Sequence, residues 1–182
     1  MTGNNTVAPW QVLGKRDIYH SDWVGLEHWS VQLPDGRIIN DHHVVVYPRS
    51  AVGVVARDNA GRFLLIDHYR FITDTRGWEI PAGQVEADET VAAAAARELL
   101  EETGHRAGEW STLGQYHPSN GSSNQIFHVL VASQLEQVAA PTDTNEVMAC
   151  QWFDMDEVRG MIRRNEMRDG FSLTATLWAM VA

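Results

Sequence analysis

Three glutamates, Glu98, Glu101 and Glu102, stand at positions i, i+3 and i+4 of an alanine-rich stretch that ends at Gly104. On a helix these positions share one face. Like charges at that spacing repel by roughly 0.2–0.5 kcal/mol per exposed pair. The C-terminal end of a helix already carries partial negative charge, and an anion there costs about 0.3–1 kcal/mol. A helix selected for stability alone would carry lysines instead. One reading is a solvated acidic face. The other is a face that receives a divalent cation, because carboxylate oxygens are the natural ligands of Mg²⁺ and Mn²⁺. Arg97, four residues before Glu101, is spaced to hold that carboxylate.

The elements around these residues follow from hydrophobic pattern and turn chemistry. Residues 1–9 are polar and read as a loose leading segment. From Gln11 to about Tyr47 the chain reads as a small antiparallel sheet, with "PDGR" at Pro34–Arg37 as a turn and "HHVVVYP" as a β-branched run. "AVGVVARDNAGRFLLIDHYR" reads as a hairpin, two apolar strands around "DNAG". "GWEIPAGQ" is a short strand broken by Pro81 and Gly83. Asp88 suits the N-cap of the acidic helix, which runs to about Thr103. Gly104 suits the left-handed residue that stops it. Ala92, Ala95, Ala96, Leu99 and Thr103 form its packing stripe. Two strands follow near 109–117 and 125–132, then a loop and a strand at "MACQWF". Asp154 with Glu157 three residues on caps a second helix, and a last helix covers roughly 171–181. The order of elements gives an α+β class with a mixed sheet flanked by helices. The division expected is 1–47 for the N-terminal sheet and 48–182 for the domain that carries the acidic helix.

Composition sets the outer limits. The net charge of −10 argues against a general nucleic-acid binder, which needs a cationic surface. One cysteine, Cys150, allows no intrachain disulfide. The start "MTGNNTVAPW" lacks a basic segment followed by an apolar one, and no apolar run is long enough to span a membrane. A cytoplasmic protein with no membrane partner is the expectation.

Gly83, five residues, Glu89, seven residues, then Arg97-Glu98-Leu99-Leu100-Glu101-Glu102-Thr103-Gly104 resembles the signature of the Nudix hydrolases. His105 stands where that signature is usually aliphatic. The resemblance implies an α/β/α sandwich and cleavage of nucleoside diphosphates linked to another group, with Mg²⁺ or Mn²⁺ as cofactor. It implies Glu98, Glu101 and Glu102 as metal ligands, joined by the carbonyl of Ala82. It implies Gly83 as the residue that lets the loop bend, and Glu89 and Arg97 as organisers of the site.

"HYRF" at 68–71, "GWEIPAG" at 77–83, the N-terminal "SDWVGLEHWSVQLPDGR" and the ending "DMDEVRGMIRRNEMRDGFSLTATLWAM" resemble the ADP-ribose pyrophosphatase group. That likeness implies a homodimer formed with help from the N-terminal sheet, and a small nucleotide-sugar substrate. Arg70 is then a phosphate contact, or else a surface strand arginine. Glu79 faces the nucleoside side, or else is a strand-edge charge. Trp23 stacks on the substrate, or else fills the core. The loop "YHPSNGSSNQIFHV" departs from the group, with Asn124-Gln125 where an acid is familiar. Gln125 cannot act as a base. Glu101 or Glu146 then takes that part, or metal-activated water needs less help. The expected activity is metal-dependent hydrolysis of the pyrophosphate bond of ADP-ribose or a related nucleotide sugar. The alternatives are hydrolysis of damaged nucleoside triphosphates and a nucleotide-sensing module that does not cleave. Among the histidines, His42 and His43 point to opposite faces of one strand and make poor joint ligands. His68 ends the second strand of the hairpin. His117 lies near the candidate loop, as a surface residue or a substrate contact.

Overall fold

The structure is a computed structural model, and it describes residues 9–143 and 147–182. They form two compact units. One holds residues 9–48 with Ser119–Gln125; the other holds the rest of the described chain.

The first unit is a three-stranded antiparallel sheet of β1 (Gln11–His20), β2 (Gly25–Gln32) and β3 (Ile38–Val46), in that order. Strand β1 is exposed along its whole length, Val12, Leu13, Ile18 and Tyr19 included. Residues 119–125 join this unit through Asn124. The Tyr47 N–H donates to Asn124 Oδ1 (2.7 Å) and Asn124 Nδ2 donates to the Tyr47 carbonyl (3.2 Å).

The second unit is built on a seven-stranded mixed sheet. Its strands are β4 (Ala51–Arg57), β5 (Phe63–Arg70), β6 (Thr75–Glu79), β7 (Ala82–Gln84), β8 (His105–Tyr116), β9 (Phe127–Gln137) and β10 (Val147–Phe153). The main order is β10-β5-β4-β9-β8, with β6 on β5 and β7 on β4. Among the described residues of this sheet, only the β4–β9 strand pairing is parallel. The helices are α1 (Val91–Thr103), α2 (Met155–Arg163) and α3 (Gly170–Val181).

Strand alternation assigns the two faces. Val52, Val54, Ala56 and Leu64 pack with Ala94, Ala95 and Leu99 of α1. Val55, Phe63 and Leu65 pack on the opposite face with Val158, Met161, Phe171 and Ala175 of α2 and α3. Truncating a fully buried Leu such as Leu99 to Ala costs about 2–5 kcal/mol. The result is the expected α+β class: the second unit is a sheet between two helical layers, and the first is a small antiparallel sheet.

Three local expectations are corrected. The N-cap of α1 is Thr90, whose Oγ1 accepts from the Ala93 N–H (3.2 Å), while Asp88 sits in left-handed backbone with φ of 64°. The turn that puts Asp88 there also closes the Glu89 N–H onto the Glu86 carbonyl, so the helix starts later. The buried stripe of α1 is Ala94, Ala95, Leu99, Glu102 and Thr103; Ala92 and Ala96 face solvent. Finally, β8 and β9 run over 105–116 and 127–137. Glycines at 108 and 114 masked the length of β8, and residue 125 lies in the first unit. Gly104 does stop α1, with φ of 71° and its N–H donating to the Leu100 carbonyl (2.8 Å).

Candidate active site

Arg97 is the centre of the acidic end of α1. Its Nη1 donates to Glu98 Oε1 (2.7 Å) and Glu101 Oε2 (3.1 Å). Its Nε donates to Glu89 Oε1 (3.1 Å), and its Nη2 donates to Glu89 Oε2 and to the Gln84 carbonyl, both at 3.0 Å. One planar guanidinium thus ties the loop before the helix to two of its carboxylates, using the fork that a lysine lacks. Glu102 is not part of this cluster. It turns toward β7, 4% exposed, and its Oε2 accepts from the Ala82 N–H (2.8 Å).

Gly83 is held here by space rather than by an unusual backbone. A Cβ on it would meet Glu98 Oε1 at 1.9 Å. The backbone of β7 therefore approaches the Glu98 carboxylate so closely that no side chain fits. Gly83 is absent from the glycines with positive φ.

The electrostatics are strained in one direction. Glu89, Glu98 and Glu101 set three carboxylates against Arg97, and Glu102 adds a fourth acid on the neighbouring backbone of β7. Burial raises Glu98 above the ordinary carboxylate range, with the Arg97 pairing opposing it. Glu89 is lowered, first by its hydrogen bonds from Arg97. Arg97 is raised, first by Glu89. Among the described residues no three His, Cys, Asp or Glu side chains converge as a finished metal cage. Yet the surplus of carboxylate oxygens, one of them desolvated against Gly83, fits a hard divalent cation, which oxygen donors suit. Burial, with Glu102 nearby, pushes the Cys150 thiol up to about 11, which disfavours its thiolate.

Arg70 and Glu79 form a second charged group on neighbouring strands. Arg70 Nη2 lies 2.6 Å from Glu79 Oε2, and Arg70 Nε also donates to that carboxylate. Glu79 is buried and Arg70 is partly exposed. Both line a cavity of about 660 Å³ between β5, β6 and the connection before α3. The α1 carboxylates do not line it. Glu79 and Ala82 are only three residues apart, which limits their separation to about 10 Å. The sequence reading missed the third wall of this cavity, Arg168 to Gly170. Its signal was the Asp169…Ser172 cap, in which Asp169 Oδ2 accepts from both the Ser172 N–H and Oγ–H at 2.7 Å.

Trp23 belongs to the first unit and is 67% exposed, so it is not a core residue. Gln125 lies in that unit too. Glu146 falls outside the described residues. His68 is buried on β5 and lines the cavity, and His117 is exposed. His28, which drew no attention in the sequence, faces His43 across β2 and β3 with Nε2 atoms 2.9 Å apart.

The sequence profile of the NUDIX domain matches residues 47–172. The chain is 33% identical over 154 residues to the CMP-5′-(N-acetyl-N-hydroxy-3-aminopropyl)phosphonate hydrolase of Streptomyces rubellomurinus, covering 85% of this chain and 74% of that one. It is 31% identical over 150 residues to the ADP-ribose pyrophosphatase of Mycobacterium tuberculosis, covering 81% and 72%. A solved structure described as an ADP compounds hydrolase superposes with a TM-score of 0.82, over 97% of this chain and 95% of that one. At 18% identity that likeness speaks for the fold alone.

Proposed function

The chain belongs to the NUDIX domain family, and from that premise we propose that it is a metal-dependent pyrophosphatase of ADP-ribose or a related nucleotide sugar. The observation that carries the reading is the end of α1: three carboxylates gathered on Arg97, a fourth, Glu102, on the backbone of β7, and Gly83, where a side chain would collide with Glu98. Glu98, Glu101, Glu102 and the Ala82 carbonyl are the groups to hold Mg²⁺, or Mn²⁺ in its place. When bound, the ion supplies charge neutralisation to the anhydride and acidifies water for attack at phosphorus.

The chain's own residues do the positioning. Arg97 and Glu89 fix the loop and the carboxylates, so the donor set needs little rearrangement. Glu102 ties α1 to the backbone of β7 through Ala82. Arg70 has the fork geometry for phosphate oxygens, and Glu79 orients it before substrate arrives. Trp23, exposed in the first unit, offers a ring for stacking on a substrate. The exposed apolar row of β1 supports a homodimer. Gln125 supplies no base, which leaves Glu101 as the described candidate to accept a proton.

A second reading of the substrate rests on the Streptomyces relative, whose name places CMP on a phosphonate. The same chemistry then acts on a cytidine nucleotide. The test is incubation with Mg²⁺ and a panel of ADP-ribose, ADP-glucose, CMP-linked phosphonate and 8-oxo-dGTP, with products separated by chromatography. EDTA-sensitive release of AMP and ribose 5-phosphate from ADP-ribose is expected. Release of CMP alone moves the substrate to the second reading. No hydrolysis with either Mg²⁺ or Mn²⁺ overturns both.

A further inference from the structure

We propose that the cavity between β5, β6 and the connection before α3 takes a substrate bearing a second anionic group besides its anhydride, and that Arg168 selects for it. The group is a phosphate or a carboxylate. The inference rests on the hydrolase reading for the kind of substrate and adds a specificity contact away from the acidic helix.

Three guanidinium groups line the cavity, Arg70, Arg76 and Arg168, against two carboxylates, Glu79 and Asp169. Asp67 pairs with Arg76 and brings the acids to three, so the partner of each arginine, rather than the net count, decides which is open to a ligand. Two of the arginines are already matched. Arg70 is forked onto Glu79, and Arg76 Nε donates to Asp67 Oδ1 at 2.8 Å. The acids flanking Arg168 are committed elsewhere. Asp169 caps α3 on Ser172, and Glu166 accepts from Arg164 at 2.7 and 2.9 Å. No carboxylate among the described residues pairs with Arg168.

The arginine is nevertheless anchored. Its Nε donates to the Asn165 carbonyl (3.1 Å), and Asn165 is in left-handed backbone with φ of 58°. That bond fixes the near side of the guanidinium and leaves Nη1 and Nη2 for a ligand. The connection is also held in place. A Cβ on Gly77 would meet the Glu166 carbonyl oxygen at 2.9 Å, so the segment lies directly on the backbone of β6. An oriented, unmatched guanidinium in the wall of a nucleoside-sized cavity suits an anion. A neutral nucleoside or sugar would leave that charge unused.

The anion has two possible sources, the nucleoside half or the half that leaves. Steady-state kinetics on two matched pairs separates them: ADP-ribose with ADP-ribose 2′-phosphate, and UDP-glucose with UDP-glucuronate. Wild type is expected to show a lower KM for the charged member of one pair. Arg168→Gln raises that KM roughly ten- to a hundredfold. The neutral member's KM and all kcat values hold, and Arg168→Lys recovers part of the loss. The responding pair assigns the half. Absence of any charge preference, its survival in Arg168→Gln, or an equal rise in the neutral KM overturns the proposal. Titration calorimetry with the same nucleotides in EDTA reads binding without turnover. Charge-dependent binding lost in Arg168→Gln, with no hydrolysis by wild type, keeps this inference and removes the hydrolase reading.

Discussion

Helices α1 and α2 belong to the same unit and treat the charge of their own ends in opposite ways. Helix α2 has Asp156 and Glu157 in its first turn and Arg163 in its last, which complements the helix dipole at both ends. Helix α1 has no acid in its first turn and no base in its last, and it gathers Glu98, Glu101 and Glu102 toward its negative end. Local stability explains α2 and fails for α1. The charges of α1 are organised instead by Arg97 and by the backbone of β7, groups that come from one turn earlier or from another element. The charge placement of α1 therefore needs a cause other than the stability of the helix itself, and the proposed metal site is one.

The sharpest way to break this contrast is Glu102→Gln. The amide keeps an oxygen for the Ala82 N–H, so the contact between α1 and β7 is retained while a charge is lost. Hydrolysis is expected to fall on the order of 10²–10³-fold, the scale of removing one well-placed electrostatic group. The melting temperature in EDTA is expected to hold or rise slightly. An unfolded variant, or one as active as wild type, removes Glu102 from the chemistry.

Arg97→Ala tests the hub. It leaves Glu89, Glu98 and Glu101 without their shared cation. Removing one partner of a fully buried pair costs about 3–5 kcal/mol; with Arg97 26% exposed, roughly 2–3 kcal/mol is expected. Added Mg²⁺ should recover more stability in this variant than in wild type, since the ion then supplies the missing positive charge. Denaturant titrations with and without metal read both effects. Equal metal responses in the two proteins would mean that the carboxylates do not share an ion.

The pH dependence sharpens the comparison within the cluster. Burial, the larger cause, holds Glu98 above its ordinary 4.5. A carboxyl raised on folding stabilises the fold below the unfolded pKa and loses that contribution as pH rises through the folded value. Glu89 is lowered by Arg97, so its contribution is present above 4.5 and is lost as pH falls through its folded value. In EDTA at about pH 7, Glu98→Gln is therefore expected to raise the melting temperature, and Glu89→Gln to lower it. The first effect shrinks below the unfolded pKa, and the second fades further into acid. Melting shifts of the same sign for both variants would show that burial does not govern Glu98.

What the sequence made legible was local, and what it hid was long-range or degenerate. Gly104 after a run of helix formers marks a stop, and Asp154 with Glu157 marks a start, because each depends on residues within one turn. The hairpin of β4 and β5 is legible in the same way. The phase of α1 is not, because alanines on every side of the helix give no apolar stripe to align. Asp88 and Thr90 are both good caps, and the turn that closes the Glu89 N–H onto the Glu86 carbonyl, with Asp88 in left-handed backbone, leaves the role to Thr90. The Glu102–Ala82 contact spans twenty residues, and the Tyr47–Asn124 clip spans seventy-seven. The Arg168 wall of the cavity meets β6 from across most of the domain. No period in the sequence reports such pairs.

The smallest expected effect is the control on the other helix. Glu157 Oε2 accepts from the Asp154 N–H at 2.7 Å, which satisfies a donor at the start of α2. Glu157→Ala removes that bond and one favourable charge at the positive end of the helix. A loss of about 0.5–1 kcal/mol is expected, with kcat and KM unchanged. The corresponding change on α1, Glu98→Gln, has the opposite sign on stability and a large effect on turnover. If Glu157→Ala instead left stability unchanged and cut turnover, charge placement at a helix end would not separate a structural helix from a working one.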